Sequence, residues 1–439
     1  MAVQAVPSTA TRIVRRDRGA AAVLAEADIC VVGAGIAGIS AALEAARLGR
    51  RVILADTLPV LGGQAVNSVI GLFAGLFSNG FDGYQLTRGI ADDILRDLEA
   101  QKALHWRRGP PHKVVLYDEI ALARWIEEAV RKAGITVLLG AVMREVDVEG
   151  GGRIREVRFA HRHGDVRVRA TGFVDASGDA ALCWQAGFAC REFGDGTIYG
   201  TQMVVLEHVN EAALPTREEL AARQAEVAAR YGMLRHDGFA FPFVGRGIAL
   251  VNMTHIETPL EPLAFSRCSL VGRHEADIAI NFLKSEYPEA FGRARVRTYG
   301  YPGIRQTRWI VGRQQLTAEQ VRNGTRFPDA VARTAWPIEL HSHAEGYIWE
   351  PFPPEHMHYV PFGSLVPAEA QNVVAAGRCI DGDAAALSSV RVMGPGIAMG
   401  AAAAHALDLA GSGSVQQIDT AALVARVKDN VEGEGPRYN

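Results

Sequence analysis

The sequence has few cysteines, and their spacing forms no known binding motif. The five are scattered through mostly apolar segments: Cys30, Cys183, Cys190, Cys268 and Cys379. No pair has CxxC spacing, which excludes the usual ligand patterns of zinc ribbons, iron–sulfur clusters and redox dithiols. An odd number of thiols in apolar surroundings is typical of reduced, buried cysteines, so we expect a cytoplasmic protein.

The sequence also lacks an apolar run that could cross a membrane. Ser68–Phe77 is too short, and Pro395–Ala410 carries His405 and Asp408 among glycines and alanines that suit close packing. No long apolar run lies before Asp28. The sequence therefore predicts neither a membrane span nor a secretory signal.

Neither sign of charge is in clear excess. The 46 Lys and Arg residues and the 49 Asp and Glu residues give a formal net charge of -3. This balance predicts no attraction to nucleic acid or to an anionic membrane surface. With 439 residues and 48% hydrophobic composition, the chain is long enough for a large core.

The chain does have a strand, a tight turn, a helix and a second strand close together in its N-terminal part. A predicted strand through Ile29–Val32 leads into Gly33-Ala34-Gly35-Ile36-Ala37-Gly38. An Ala- and Leu-rich helix over Ile39–Leu48 and a strand over Arg51–Ala55 follow. This context makes a GxGxxG motif a dinucleotide-binding fingerprint. Close helix–strand packing without a ligand is the alternative.

The residue types in this turn suit a bound pyrophosphate. Gly33 permits the tight turn, Gly35 lets the backbone approach the ligand, and Gly38 lets the helix lie close to the strand. The pyrophosphate is then expected at the helix N-terminus, at Ile36 and Ala37, where free N–H groups and the helix dipole favour anions.

The acid that ends the second strand and three later segments favour FAD over NAD. Asp56 stands where a carboxylate binds ribose hydroxyls, and its charge disfavours a 2′-phosphate. A Gly-rich loop at 61–64, a strand with Ala-Ser-Gly-Asp at 174–179, and a late return at 375–378 would follow the cofactor toward its flavin. A helix start at 394–396 would stabilise negative charge on a reduced flavin. These segments add Gly62, Gly63, Gln64, Ala176, Gly178, Asp179, Gly377, Arg378, Gly394 and Gly396 as cofactor-binding residues.

The same segments resemble the FAD-dependent oxidoreductase family that is related to the glutathione-reductase and fumarate-reductase flavoproteins. Gly303–Gly312 and Ala376–Ile380 are the stretches most particular to this family. The resemblance implies that FAD is lined by Gly33, Gly35, Gly38, Asp56, Gly63, Val142, Asp179 and Arg378, with the Val142 backbone at the adenine.

The sequence departs from the family pattern on the substrate side. Gln306 stands where an acid is usual, Glu339 where Asp is usual, and Phe362-Gly363 where a larger polar pair is common. No histidine lies between Asp56 and Arg88, where some fumarate-reductase relatives attach their flavin. We therefore expect non-covalent FAD.

The pattern predicts an α/β fold with a Rossmann-like, glutathione-reductase-like FAD-binding domain and an inserted substrate or cap domain of mixed α+β structure. Residues 26–205 and 361–411 would form the discontinuous FAD-binding domain, residues 206–360 the cap, and residues 412–439 a C-terminal helix and tail.

Individual elements are predicted from hydrophobic periodicity and turn residues. We expect a β-meander from Val142 onward and helices at 86–100, 216–230 and 415–430. A long Ala-rich helix is expected to begin at Gly396, and residues 1–25 are expected to form an extended lead-in.

Two arginines are candidates for binding a substrate carboxylate. Arg305 and Arg308 lie three residues apart, so on a helix they would share a face, whereas on a strand they would not. Two guanidinium groups facing a flavin would bind a carboxylate bidentately. Structural ion pairs are the alternative.

The histidines His341, His343, His356 and His358 form two HxH pairs. On a strand such a pair points both rings to one face, yet no further residue completes a coordination geometry, so no metal is predicted. We place His341 or His343 as a base or hydrogen-bond partner for the substrate. Surface histidines are the alternative.

An aromatic set could wall a substrate pocket, and it could equally be ordinary core. Its members are Tyr359, Trp336, Tyr347, Trp349 and Phe352.

The predicted reaction moves a hydride between a small organic, carboxylate-bearing substrate and flavin N5. An electron acceptor is required but is not identified, and homo-oligomerisation is left open. Three alternatives remain: a flavin reductase or monooxygenase that uses NAD(P)H, the FAD-holding subunit of a larger dehydrogenase, and a tRNA-modifying flavoprotein.

Overall fold

A computed structural model describes residues 12–15, 22–107, 113–194 and 197–438. Within these residues the helices are, in chain order, α1 Ile36–Arg47, α2 Gly63–Asn67, α3 Ile90–Ala100, α4 Glu119–Lys132, α5 Ala181–Gln185, α6 Arg217–Tyr231, α7 Pro262–Glu286, α8 Pro288–Phe291, α9 Ala318–Arg322, α10 Ala384–Val390, α11 Met393–Ala410 and α12 Thr420–Arg426. The strands are β1 Val23–Val32, β2 Val52–Asp56, β3 Leu72–Phe73, β4 Leu104–Arg107, β5 Val114–Tyr117, β6 Thr136–Leu139, β7 Ala141–Glu149, β8 Arg153–His161, β9 Gly164–Asp175, β10 Cys190–Arg191, β11 Val204–Glu207, β12 Phe239–Phe243, β13 Ile248–Asn252, β14 Arg295–Tyr299, β15 Trp309–Ile310, β16 Ala330–Thr334, β17 Ile338–Leu340, β18 Ile348–Glu350, β19 His358–Pro361 and β20 Val373–Ala375.

A central parallel sheet brings several strand ends to one edge. Its order is β6-β2-β1-β9, with β20 on the far side of β9. In the register, Val32 lies opposite both Ala55 and Asp175, so the chain segments after β1, β2 and β9 leave the sheet side by side. This carboxyl edge is where open α/β sheets bind ligands. The expected Rossmann-like unit is confirmed.

The predicted β-meander is confirmed, and the first half of β9 is its third strand. Strands β7, β8 and β9 pair antiparallel in succession, with Val157 opposite both Val146 and Val168. The meander therefore extends the central sheet beyond its parallel part.

Two small-residue helices cover one face of the sheet. A Cβ on Gly400 of α11 would collide with the Ala37 carbonyl of α1, and the Ser40 hydroxyl donates to the Ile397 carbonyl at 2.7 Å. The Gly- and Ala-rich composition of α11 thus serves close helix packing. Among the described residues, no helix is both long enough and apolar enough to cross a bilayer.

A second sheet forms its own core. Strands β12, β13, β11 and β14 pair antiparallel in that order. Helices α6, α7 and α8 contribute to a buried cluster around Leu206, Val251, Phe282 and Phe291. The mixed α+β content predicted for the inserted part is confirmed. The first core also takes in Trp309, which lies within the predicted cap range, so the proposed boundaries stay predictions.

Four predicted element bounds are corrected. Helix α3 begins at Ile90 and not at 86, because Gly89 has a φ of 72° that ends the preceding segment. Helix α11 begins at Met393, since Pro395 is tolerated in a first turn. The C-terminal helix covers only Thr420–Arg426, because the Asp419 carboxylate caps it there. Strand β1 begins at 23, inside the expected lead-in.

Candidate active site

In the turn between β1 and α1, neither the backbone conformation nor close packing within the chain requires a glycine at position 35. Gly33 has a φ of 104°, and a Cβ on Gly38 would collide with the Gly33 carbonyl oxygen. Gly35 has a φ of −73° and a ψ of 178°, which any residue adopts, and no heavy atom lies within 4 Å of a Cβ placed there. The space beside Gly35 is therefore open to a ligand at the α1 N-terminus, where the first amides of Ile36 and Ala37 have no acceptor within the helix.

Asp56 holds the end of β2 against this turn. Its two carboxylate oxygens accept the amides of Ala34 at 2.6 Å and Leu58 at 2.7 Å. A carboxylate has about four acceptor positions, so it can still bind ribose hydroxyls. Val142 is exposed on β7, and the adjoining Gly140 amide donates to the Leu58 carbonyl at 2.9 Å. The predicted adenine-binding strand thus reaches the Asp56 loop.

The Gly62–Gln64 loop packs directly on the turn. The Gly62 amide donates to the Ala34 carbonyl at 2.9 Å. Gly63 has a φ of 50°, and a Cβ there would lie 2.6 Å from the Gly35 Cα. Gln64 follows in the first turn of α2 and is half-buried. Glycine is required here so that the loop can approach the open space at Gly35.

The ends of β9 and β20 bring five predicted cofactor residues together. The Ala176 amide donates to the Val32 carbonyl at 2.9 Å, which ties this loop to the end of β1. Gly178 has a φ of 84°, and a Cβ there would collide with the Arg378 guanidinium. Arg378 Nη1 is buried 3.7 Å from Asp179 Oδ1 and makes no hydrogen bond within the described residues. Gly377 has a φ of 73°, and a Cβ there would lie 3.2 Å from the Cβ of Ala37.

The N-terminus of α11 lies next to that of α1. The Gly394 amide donates to the Ala74 carbonyl at 2.9 Å. The nearest atom to a Cβ on Gly396 is Cγ2 of Ile36 at 4.0 Å, so space is open here too. Two helix dipoles therefore direct their positive ends toward one region.

The structure does not bring Arg305 and Arg308 together. Both lie in an irregular segment with no helix. Arg308 Nε donates to Glu192 at 2.6 Å, and its guanidinium stacks 3.9 Å over the Trp184 ring. Arg305 is buried, its Nη1 donates to the Tyr199 carbonyl at 2.6 Å, and no carboxylate of the described residues lies within ion-pair distance.

The predicted catalytic histidines occupy different environments. His341 is fully buried, with Nε2 3.0 Å from Glu339 Oε1 and Nδ1 2.9 Å from His255 Nε2. His343 is exposed. Tyr359 is half-buried on β19, where the Arg326 guanidinium lies 5.6 Å from its ring centre. Of these three predicted catalytic residues, His341 is the one that lies in a buried polar network of the described residues.

The second HxH pair forms hydrogen bonds with itself and with Ser389. His358 Nε2 lies 2.8 Å from the Ser389 hydroxyl, and its Nδ1 lies 3.2 Å from His356 Nε2. Burial lowers the pKa of His358 to about 3. Within the parts of the chain that are described, no group of three or more His, Cys, Asp or Glu side chains could hold a metal ion.

Sequence reasoning missed residues that gather around Arg305. The guanidiniums of buried Arg235 and of half-buried Arg391 are close enough to repel Arg305, and burial together with this repulsion lowers the pKa of Arg305. Two acids, Glu339 and Asp237, are close enough to oppose this effect on the pKa of Arg305. We call this group the arginine cluster, and it consists of Arg235, Asp237, Arg305, Glu339 and Arg391. One signal for Arg391 was available, because a charged residue between Val390 and Val392 in a buried segment is unusual.

These residues fit the predicted FAD. Gly35 and Gly396 leave space, and Arg378 has a spare buried N–H group. Both amide atoms of buried Gln306 lack partners among the described residues. The hydroxyl of the adjoining Thr307 donates to Asp179. A flavin edge carries both donors and acceptors, which matches an unsatisfied carboxamide.

Comparisons with known proteins find one family model that matches this chain and several solved structures that resemble it. The model of the FAD dependent oxidoreductase family matches residues 28–427. Among solved structures, a geranylgeranyl bacteriochlorophyll reductase-like protein from Thermoplasma acidophilum is 14% identical, with a TM-score of 0.45 over 93% of this chain and 80% of that one. The p-nitrophenol 4-monooxygenase PnpA from Pseudomonas putida DLL-E4 is 12% identical, with a TM-score of 0.47 over 93% and 82%. No curated protein sequence matches. The chain belongs to the FAD-dependent oxidoreductase family, and FAD is its cofactor.

Proposed function

We propose that the protein is a dehydrogenase of a small carboxylate-bearing substrate and that it binds FAD non-covalently. Bound FAD supplies the hydride chemistry at flavin N5. The chain's own residues bind the carboxylate, orient the reacting carbon and exclude water from it.

The uncompensated charge of the arginine cluster carries this proposal. Arg235 pairs with Asp237 at 2.7 Å. Arg305 and Arg391 make no ion pair within the described residues, and Glu339 is the remaining acid of the cluster. The unpaired guanidinium of Arg305 is buried, and a buried unpaired ion costs several kcal/mol. A bound carboxylate would accept charge-assisted hydrogen bonds from both groups and offset this cost.

The position of the cluster supports a substrate next to the cofactor. Arg391 directly precedes Val392, the N-cap residue of α11, and Arg378 is close enough to repel it. The same region holds the open position at Gly396. A carboxylate bound by Arg305 and Arg391 would therefore lie beside the predicted flavin end of the cofactor site.

The residues that the sequence predicted for substrate binding and catalysis lie in different surroundings, so we assign them different roles. Arg308 is neutralised by Glu192, so the partner of Arg305 in the proposed clamp is Arg391. His341 lies behind Glu339, so it would act through that acid. Within the described parts of the chain, His343 and Tyr359 make no polar contact with the cluster, and we assign them no role.

The test is substrate binding by variants of the holoenzyme. Losing a charge-assisted hydrogen bond costs about 1.5–3 kcal/mol, so Arg391→Gln should raise the KM or Kd of the substrate about 10- to 150-fold. Arg308→Gln is the matched control, because its charge is already paired with Glu192, and it should leave both values unchanged. Equal effects of the two substitutions would overturn the assignment.

A panel of hydroxy acids, amino acids and amines, added without oxygen, identifies the substrate class. Bleaching of the flavin absorption by carboxylates, and not by their counterparts without the carboxyl group, supports the proposal. Bleaching by NADH alone would favour the NAD(P)H-dependent reductase or monooxygenase.

A further inference from the structure

One cavity of the protein has no lining residue in the predicted cofactor site or in the arginine cluster. It has a volume of about 190 Å³ and lies between β4, β12 and the start of α6. Both strands are the last strands of their sheets. A water molecule takes up about 30 Å³ of the liquid, so the cavity has room for about six water-sized groups. That is enough for a small molecule and too little for a dinucleotide.

Three basic side chains line this cavity. His105 and Arg107 lie two residues apart on β4, so they point to the same face of the strand, and Arg217 stands in the first turn of α6. Desolvation and repulsion from the Arg217 guanidinium lower the pKa of Arg107, so the two guanidiniums lie near each other. Positive charge is therefore concentrated here, in a chain whose formal net charge is -3.

No acid among the described residues neutralises these groups directly. None of the three side chains forms an ion pair there, and no Asp or Glu lines the cavity. Two acids act from outside the lining, Glu218 on Arg107 and Glu211 on His105. Glu218 is exposed. The Glu211 carboxylate accepts two backbone amides of the β12–β13 turn, at 2.8 and 2.6 Å, and is held toward that turn.

The rest of the lining is apolar. Leu116 and Phe241 are buried and belong to one small hydrophobic cluster, and Pro215, Ala240 and Pro242 complete the lining. A ligand that fits this cavity therefore places an anionic group at the basic side chains and an apolar group against Leu116 and Phe241.

The cavity is close to the arginine cluster but shares no side chain with it. The Arg217 guanidinium lies 4.9 Å from the Phe239 ring centre and donates to the Tyr347 hydroxyl at 2.6 Å. The Arg235 guanidinium of the cluster lies 5.7 Å from the Phe239 ring centre and 5.3 Å from that of Tyr347. The two groups of arginines thus contact the same pair of rings and have separate donors for a ligand.

We propose that this cavity is a second anion-binding site, which takes a small oxyanion with a short apolar chain, such as an alkyl carboxylate or an alkyl phosphate. Arg107 and Arg217 bind the oxyanion through charge-assisted hydrogen bonds, and a ring N–H of His105 is a third donor. Arg217 has N–H groups left for this role, because its contact with Tyr347 uses one of five. The site needs no flavin chemistry, so it does not depend on the proposed dehydrogenase activity.

Calorimetric titration of the holoenzyme with butyrate and with butyl phosphate, at low ionic strength, tests the site. Arg107→Gln and Arg217→Gln should each raise the Kd of the bound probe at least about tenfold. Arg230→Gln is the matched control, because Arg230 lies on the same helix α6 and is paired with Glu286. Tighter binding of butyrate would identify a carboxylate as the ligand, and tighter binding of butyl phosphate a phosphate ester. A wild type that binds neither probe, or an unchanged Kd in both variants, overturns the proposal.

Chain length tests the apolar part of the lining. Butyrate has two CH₂ groups more than acetate, so it should bind about tenfold more tightly if its chain is buried against Leu116 and Phe241. Equal Kd values for acetate and butyrate would indicate charge attraction alone and would overturn the assigned ligand class.

A second background separates this site from the proposed substrate clamp. Butyrate carries the group that Arg305 and Arg391 are proposed to bind, so the titrations are repeated in Arg391→Gln. Probe binding that persists in Arg391→Gln and is lost when Arg217→Gln is added supports the second site, whether or not the proposed function holds. Probe binding that is lost in Arg391→Gln and kept in Arg217→Gln would place the probe in the clamp and overturn this inference.

Discussion

Replacing Gly35 with alanine should impair cofactor binding without harming the fold. Gly35 has an ordinary φ of −73° and ψ of 178°, and no heavy atom lies within 4 Å of its absent Cβ. The folded chain can therefore accept a methyl group there. A Gly→Ala change at a compatible position alters the free energy of unfolding by only about 1 kcal/mol or less.

The added methyl group should instead weaken the binding of FAD. We expect the pyrophosphate to approach the backbone in the space beside Gly35, and the Gly62–Gln64 loop already closes the other side of the turn. Overpacking a tight site costs about 1–3 kcal/mol. Since a tenfold change in affinity corresponds to about 1.4 kcal/mol, the dissociation constant of FAD should rise about 5- to 150-fold.

The assay compares reconstitution of the apoprotein with its thermal unfolding. FAD is removed and then titrated back while flavin fluorescence is followed, and Tm is measured on the same apoprotein. Gly150→Ala is the matched control, because Gly150 also has no heavy atom within 4 Å of its absent Cβ and lies in the β7–β8 turn. A Gly35→Ala protein that binds FAD as tightly as the control would refute the reasoning.

Two further predictions concern stability. Gly38→Ala should lower the free energy of unfolding of the apoprotein by about 1–3 kcal/mol or more, because its Cβ would collide with the Gly33 carbonyl; a Tm equal to that of the wild type would contradict this. Acid should also destabilise the fold through His255 and His358, since burial lowers the pKa of each to about 3 while the unfolded chain binds protons below about pH 6.5. Stability is then lost as pH falls from about 6.5 toward 3, by roughly 2 kcal/mol per histidine at about pH 5. Urea unfolding at pH 7 and pH 5 measures this loss, and equal midpoints would count against buried neutral rings.

The FAD cofactor was predictable because the sequence signals for it are local. The strand, turn and helix around Gly33 lie within one short segment, and each glycine has a separate physical reason to be there. The later segments at Gly178 and Arg378 were predicted from a strand followed by a Gly-containing loop, from the late return of an apolar pattern and from the family resemblance.

The substrate side was less predictable because it depends on contacts between distant segments. His255 and His341 meet through irregular loops, and no spacing in the sequence indicates their hydrogen bond. Arg305 and Arg308 are close in sequence, but their backbone is irregular. As a result the Arg305 side chain is buried, whereas the Arg308 side chain pairs with Glu192. Periodicity describes helices and strands, and it says nothing about side-chain directions in such a segment.

Anaerobic flavin absorption tests the central claim most directly. The purified holoenzyme is mixed without oxygen with paired compounds that differ only in the presence of a carboxyl group, and the flavin bands are followed. If the protein is a dehydrogenase of carboxylates, at least one carboxylate should bleach the flavin bands, and the matching compound without the carboxyl group should not. The bleaching should be weaker in Arg391→Gln. Equal bleaching by both members of each pair, or bleaching by NADH alone, would contradict it.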